Sequence, residues 1–238
     1  MDKHEREQLK HDVFVDEVTH TIDYAASHKK QLTTYAGIAV AVLAVAGGWW
    51  FWSGKQLEAR QALLQNALQD QQSVVGPGTS PFVRSYTSQE LKDQATIKSF
   101  SGIIEKYPSS DEAAIGHYYI GITYADQGKF PEAEKEWQIA VDKGSKEYAA
   151  LARFSLAQMY SKQGKLPQAE EHLRYLIDHP TALVSKENAQ IELAKVIAPS
   201  KPDEAKKMLE PLRQLTTRSS VSRWAISAYS EASAPQKK

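Results

Sequence analysis

The chain of 238 residues contains no cysteine. It therefore has no disulfide framework, no thiol nucleophile and no cysteine to carry a lipoprotein anchor. This absence is compatible with both the cytoplasm and the bacterial periplasm. An excess of charge is also absent, because 29 basic and 29 acidic side chains cancel. A chain without net charge shows no electrostatic footprint for nucleic acid, so we expect no nucleic-acid partner.

Motifs for chemistry are missing as well. The seven histidines are scattered, and no cysteine supports them as metal ligands. The segment Gly76-Pro77-Gly78 is not followed by the lysine and hydroxyl pair of a phosphate loop. No serine lies in a Gly-x-Ser-x-Gly turn. We therefore expect no enzyme, no metal, no cofactor and no small-molecule substrate.

Charged residues are absent from one long segment, 31–54. Within it, Leu32 to Trp52 is nearly all apolar, and as a helix this run spans about 31 Å, which matches the hydrocarbon thickness of a bilayer. The run ends in the aromatic residues of 49–52, as at a membrane interface. A buried core helix does not need such a belt, and a cleaved signal peptide is shorter and begins earlier. We predict a transmembrane helix at 31–54.

Basic residues predict the orientation of that helix. More of them precede the span than follow it at a similar distance: Lys3, Arg6, Lys10, Lys29 and Lys30 before it, Lys55 and Arg60 after it. Because cytoplasmic flanks carry the excess of lysine and arginine, the N-terminus is expected in the cytoplasm. The rest of the chain then lies across a bacterial inner membrane, in the periplasm.

The segments on either side of the span differ in character. The cytoplasmic segment 1–30 has apolar residues at helical spacing, which predicts an amphipathic helix between Asp12 and Ala26. This helix either lies on the inner membrane face or docks a partner, or it is a solvated helix that leads into the span. On the other side, 55–88 reads as a helical extension over Lys55 to Gln72 and a flexible linker, because glycine and proline are concentrated in Gly76-Pro77-Gly78.

A repeat fills the region 89–230, and the remaining 231–238 is expected to be a disordered tail. The segment 120–134 reappears 36 positions later as 156–170, with the same turn and the same small residues. A fixed period in this range marks a stack of helix–turn–helix units, each of which cannot bury its apolar face alone.

Each position of the repeat has a physical role. Small residues allow two helices to approach, glycine suits a left-handed helix end, and proline suits the first turn of the next helix. The pairs are Gly121 and Ala157, Gly128 and Gly164, Pro131 and Pro167, and Ala133 and Ala169. In the same register Tyr124 and Tyr160 are expected to pack over the turn.

Weaker copies flank the two clear ones. Upstream, Thr96, Phe100 and Ile103 fit the second half of a unit. Downstream, a third unit lacks the glycine turn but restores the spacing of the second helix, and a last helix is expected from about Val221 to Tyr229. Terminal repeats are atypical because they cap a stack. The region predicts roughly seven helices.

This pattern resembles the tetratricopeptide repeat, whose unit usually has 34 residues with a small-x-x-Tyr motif, then alanine, then a bulky apolar residue. It departs from that family in its spacing, and His117 and Arg153 stand where the usual tryptophan would be. The resemblance implies a solenoid of helical hairpins, and together with the predicted span it makes this an all-α protein in which a single N-terminal transmembrane helix precedes the solenoid. Such stacks bind proteins and seldom perform chemistry.

The whole architecture resembles a bacterial family, the ancillary subunit of the Sec translocon. The resemblance includes Asp12-x-Phe14-Val15-x-Glu17-Val18 before the span and the turns at Gly128 and Gly164. Members are anchored in the inner membrane with the N-terminus inside, and they associate with the translocon and with periplasmic chaperones that handle exported chains. The resemblance implies the same role here. The alternative is a scaffold or assembly factor for another envelope complex, such as cytochrome maturation or outer-membrane protein assembly.

A binding groove is expected where the first helices of the units line the concave face of the stack. In the repeat register, six positions face this groove: Tyr118, Ile122, Phe154, Gln158, Ile191 and Lys195. Aromatic residues there provide a large contact area at low entropic cost. The alternative is that Tyr118 and Phe154 are core residues that pack against the neighbouring helix.

Overall fold

The computed structural model describes residues 28–78, 83–214 and 220–233. The chain divides into two compact units, Met1–Glu58 and Ala59–Lys238, which are described separately. Within the described residues there are nine helices and two short strands. The expected all-α class is therefore confirmed. The predicted amphipathic helix at the N-terminus lies outside the described residues.

The first helix, α1 (Lys29–Gln71), contains the apolar run. Its apolar 18-residue window has a mean hydropathy of 1.6, and none of that window is buried. The helix is therefore long and apolar enough to span a membrane. It continues without a break through Gly54 to Gln71, so the expected helical extension is part of the same element.

The second unit contains the last turns of α1 and eight further helices, one more than the sequence suggested. They are α2 (Gln89–Lys106), α3 (Asp111–Asp126), α4 (Phe130–Lys143), α5 (Lys146–Lys162), α6 (Leu166–Asp178), α7 (Lys186–Ile197), α8 (Pro202–Arg213) and α9 (Ser220–Ser233). Three hairpins, α3–α4, α5–α6 and α7–α8, follow one another, and each packs on the next.

The two clear repeats have the same turn. Gly128 has φ +74° and Gly164 has φ +73°, a left-handed conformation that side chains disfavour. The backbone N–H of Lys129 donates to the Tyr124 carbonyl at 2.8 Å, and that of Lys165 donates to the Tyr160 carbonyl at 2.9 Å. A proline then stands in the first turn of α4 and of α6. These parts of the repeat pattern are confirmed.

The expected small residues lie where helices cross. A Cβ atom on Gly121 would come within 2.6 Å of the Trp137 ring, so only glycine fits there. Ala133, Ala157 and Ala169 are fully buried. The Trp137 indole N–H donates to the Tyr118 carbonyl at 3.1 Å, which satisfies the polar atom of a buried aromatic side chain. The repeat pattern therefore predicts correctly which small residues are buried in the core of the hairpins.

The half-unit upstream of the first clear repeat consists of α2, and it packs against apolar residues at the end of α1. Ala67 is fully buried in one cluster with Phe100, Ile103 and Ile120. Leu63, Leu64 and Leu68 pack against the same cluster. Residues 59–71 therefore belong to the repeat unit by packing, whereas the sequence placed the repeat region from residue 89 onward.

The segment expected as a flexible linker is ordered on both sides of residues 79–82, which are not described. Strand β1 (Val74–Val75) pairs in parallel with β2 (Ser85–Tyr86). Asp70 in α1 accepts hydrogen bonds from Arg84 at 2.6 Å, from the Tyr86 hydroxyl at 2.7 Å and from the Ser99 hydroxyl at 2.5 Å. The Asp70 carboxylate thus holds Arg84 and Tyr86 against α1, and the strand pair joins Val74 and Val75 to them, where the sequence favoured a flexible linker.

The C-terminal helix also differs from the expectation. Helix α9 runs to Ser233, beyond the expected end at Tyr229 and three residues into the segment expected as a tail. It buries Ala225, Ala228 and Ala232 against the core of the third unit. Small apolar residues at these positions let the helix lie close to α7 and α8.

Candidate functional site

The first helices of the three units, α3, α5 and α7, line two clefts on one face of the stack. Cleft one lies between α3 and α5 and has a volume of about 320 Å³. Cleft two lies between α5 and α7 and also has a volume of about 320 Å³. Both clefts result from the repeat, because each pair of successive first helices leaves a groove between its side chains.

All six groove residues named from the sequence line these clefts. Tyr118 and Ile122 line cleft one, and Phe154, Ile191 and Lys195 line cleft two. Gln158 contributes to both and forms their shared wall. The structure therefore brings the six residues together on one face, in the order in which the chain presents them.

Tyr118 and Phe154 combine the two roles that the sequence left open. Both are half-buried and pack against core clusters, and each also lines a cleft. Tyr118 makes an edge-to-face contact with Tyr148 at 5.7 Å between ring centroids. Burial raises the pKa of Tyr118. Each of the two residues therefore packs partly in the core and partly lines a cleft.

Cleft two contains an unpaired hydrogen-bond acceptor. Ser185 caps α7, and its hydroxyl group accepts from the backbone N–H of Asn188 at 3.2 Å. The side-chain Oδ1 of Asn188 is buried and finds no donor among the described residues. A buried carbonyl oxygen without a donor costs free energy until a donor arrives. Because this atom has almost no accessible surface, it lies behind the wall of cleft two and is not an open site within it.

The charged groups of each cleft balance. Cleft one is lined by Asp126 and Lys162. Cleft two is lined by Glu192 and Lys195, whose ammonium lies 3.3 Å from the Glu192 carboxylate. Each cleft thus contains one acid and one base beside apolar and amide side chains, and neither has the excess of one sign that selects a charged ligand.

Sequence reasoning missed several residues of this site, above all Trp224. This side chain belongs to α9, lines cleft two and is 54% exposed. Phe130, at the start of α4, lines cleft one and is 40% exposed. A signal for Trp224 was present, because a large aromatic residue beside the buried Ala225 and Ala228 marks the opposite face of an amphipathic helix.

The described residues contain no group of three or more potential metal ligands close enough to hold an ion.

Tyr160 illustrates how an aromatic residue outside the clefts packs. Its ring stacks on His172 with 5.7 Å between centroids, and burial followed by a hydrogen bond to Glu134 raises its pKa to about 12. The Lys165 ammonium in the turn lies 5.5 Å from the centre of the same ring, so this tyrosine packs over the turn as expected.

Comparison with protein families agrees with this geometry. The model of a tetratricopeptide repeat-like domain matches residues 138–219, from within α4 to just beyond α8. The chain carries a tetratricopeptide repeat-like domain. No curated protein matches the chain. Domains of this kind are generally non-catalytic modules for protein–protein interaction, which is consistent with protein partners, and the match says nothing about a translocon.

Proposed function

We propose that this protein is a membrane-anchored adaptor that holds other proteins in clefts one and two. One observation carries the proposal: the first helices of three successive units align two neighbouring clefts with a shared wall at Gln158. Contiguous grooves of this kind accept extended or helical segments of a partner. The repeat-like domain supports a role in protein interaction.

The membrane anchor of the proposal is α1. Successive residues of a helix are about 100° apart, so the four aromatic residues of 49–52 surround the helix on all sides. All four are exposed. A protein neighbour would cover one side of such a collar, whereas a membrane interface surrounds it. With Lys29 and Lys30 at the other end, the N-terminus lies in the cytoplasm and the repeats in the periplasm of the proposed topology.

The finer proposal is an ancillary role at the Sec translocon. Its support is the resemblance in architecture, together with clefts that have no net charge and that each include an exposed aromatic side chain, Phe130 in cleft one and Trp224 in cleft two, as suits newly exported chains that are not yet folded. Periplasmic chaperones are the other partners implied by that resemblance. A scaffold for cytochrome maturation or outer-membrane protein assembly remains the alternative function.

Co-purification of the full chain from membranes in a mild detergent tests this proposal. We expect subunits of the translocon channel to co-purify with the wild type. If partners bind in the clefts, the double variant Tyr118→Ala with Phe154→Ala should lose the association. The variant Leu183→Ala should retain it, since Leu183 is exposed and lines neither cleft. Helical content checks that each variant is folded. Recovery of a different envelope complex would select the alternative, and recovery of no protein would contradict the adaptor role.

A further inference from the structure

We propose that the stacked pair of His172 and Tyr160 is an acid-sensitive latch: when His172 takes up a proton, the latch opens and the α5–α6 hairpin loosens. The imidazole ring of His172 lies nearly parallel to the Tyr160 ring, with 14° between the planes and 5.7 Å between the centroids. This contact joins α6 to α5, and α5 is the helix that clefts one and two share. A proton at this latch would therefore act on a wall of both clefts.

The latch also extends to the preceding repeat unit through Tyr160. The hydroxyl group of this tyrosine donates a hydrogen bond to the Glu134 carboxylate of α4. The Lys165 ammonium covers the Tyr160 ring from the turn between α5 and α6. Helices α4, α5 and α6 therefore meet at this ring, and a charge on His172 would arise at the junction of two repeat units.

The surroundings of the His172 imidazole favour its neutral form. Its Nδ1 atom is buried and has no hydrogen-bond partner among the described residues. A neutral imidazole can carry its proton on Nε2 and leave Nδ1 without one, whereas an imidazolium has an N–H group at both nitrogens. Proton uptake would therefore bury a donor without an acceptor, and this cost in free energy is relieved when the stacked contact opens to water.

The charged groups around His172 act in opposite directions. The Arg153 guanidinium of α5 opposes a positive charge on the imidazole, and its stacking on the Tyr175 ring at 4.1 Å from the centroid holds it beside α6. The carboxylates of Glu134 in α4 and Glu171 in α6 favour that charge. Burial lowers the pKa of His172 most, Arg153 lowers it further, and the two carboxylates offset only part of this, so the pKa lies below its ordinary value of 6.5.

Acid should therefore weaken the latch. Because the folded-state pKa of His172 is lowered, the unfolded chain binds a proton at this residue at a higher pH than the folded chain does, and proton binding favours the opened state. The stability of the hairpin is expected to be complete above a pH of about 6.5. It should fall as the pH drops from there to the folded-state pKa, and level off at lower pH.

Hydrogen exchange of the full chain in detergent micelles tests the latch, with exchange measured at pH values of about 7.5 and about 5, on either side of the ordinary histidine pKa. Rates are corrected for the pH dependence of intrinsic exchange. We expect the amides of α5 and α6 in the wild type to lose protection by about fivefold or more at the lower pH, as for a buried donor without an acceptor. His172→Phe keeps a flat ring against Tyr160 and cannot take up a proton, so its protection should be the same at both pH values. An equal acid loss in His172→Phe, or no loss in the wild type, would overturn the proposal.

Two further variants test the latch without replacing its ring. Arg153→Gln removes the opposing charge and should reduce the acid loss, and each variant is compared with itself at the two pH values. His117→Gln is the control, because the Nδ1 atom of His117 lies 2.6 Å from the Glu136 carboxylate, which can pair with its proton. This substitution should leave the acid loss of α5 and α6 unchanged. Equal reductions in Arg153→Gln and His117→Gln would overturn the role of His172.

Discussion

At the residue scale, two glycines of one repeat have different physical roles. Gly121 is needed for space, because an added Cβ would lie 2.6 Å from the Trp137 ring. Gly128 is needed for backbone conformation, with φ +74° and open space around it. The exposed Gly102 in α2 has neither constraint. Stability measurements can separate these roles.

We predict that substitutions at the constrained positions destabilise the second unit. Ala133→Leu and Ala169→Leu overpack helix crossings and should cost about 1–3 kcal/mol. Gly128→Val and Gly164→Val force a β-branched residue into a left-handed turn and should also destabilise. Thermal melts followed by circular dichroism measure these changes, with Gly102→Ala as the control, which should stabilise by about 0.5–1 kcal/mol. Unchanged melting in all four variants would contradict the repeat register.

A second prediction at this scale concerns Asp70, which is 4% exposed. Burial raises the pKa of Asp70, but hydrogen bonds from Ser99, Arg84 and Tyr86 outweigh it, so the pKa lies below its usual range. A depressed folded-state pKa contributes stability above the unfolded value near 3.9, and this contribution is lost as pH falls through the folded value.

Asp70→Asn should therefore lose about 2 kcal/mol at neutral pH, because hydrogen bonds to a charged group are replaced by weaker ones. The difference from the wild type should shrink as pH falls below about 4. Urea unfolding at several pH values measures both effects. A constant difference at all pH values would mean that the carboxylate charge is not what stabilises β2 and α2 against α1.

At the element scale, the unit of the fold is the helical hairpin, and the first unit borrows its missing helix from α1. Ala67 fills the cluster formed by Phe100, Ile103 and Ile120. A chain that begins after this segment would expose that cluster to water. The upstream boundary of the stable unit is therefore set by side-chain packing at 59–71 and not by the start of the repeat pattern.

We predict that a fragment of residues 59–238 melts at a higher temperature and more cooperatively than a fragment of residues 87–238. The longer fragment retains Ala67 in its cluster and Asp70 with its three hydrogen-bond partners. Calorimetry of the two fragments provides the comparison. Identical melting curves would show that the end of α1 adds nothing to the repeat unit.

The hairpins could be predicted from sequence because their signals are local. Gly128, Pro131 and Ala133 follow one another within one turn and the start of one helix, and the same set recurs 36 residues later. Asp70 was missed because its partners lie up to 29 residues away, as in the bond from Ser99. Trp224 was missed because α9 lies beyond the last repeat, so the repeat register does not extend to it and only the amphipathic pattern of α9 itself indicates a face.

At the scale of the whole molecule, the proposed protein consists of an apolar helix that spans a membrane and a helical stack that binds proteins on one side of it. The two compact units divide at Glu58 and Ala59. No part of the apolar window of α1 is buried among the described residues, and an exposed apolar surface of this size is typical of a helix that contacts a membrane or another protein. In the proposed topology, a bilayer surrounds this helix on every side.

The topology is tested by reporter fusions after Lys238. An enzyme that is active only in the periplasm should be active there, because the proposed topology puts Lys29 and Lys30 on the cytoplasmic side of the span. A fusion of the same reporter after Lys30 is the control and should be inactive. Activity of a cytoplasm-only reporter after Lys238 would contradict the proposed orientation.

Site-specific photocrosslinking tests the adaptor function most directly. A crosslinking residue at Gln158 lies in the shared wall of clefts one and two, and one at the exposed Gln168 in α6 lies in neither. In intact cells we expect Gln158 to form adducts with translocon subunits, chaperones or exported chains, and Gln168 to form few. Adducts at Gln168 with none at Gln158 would show that the clefts are not where this protein holds its partners.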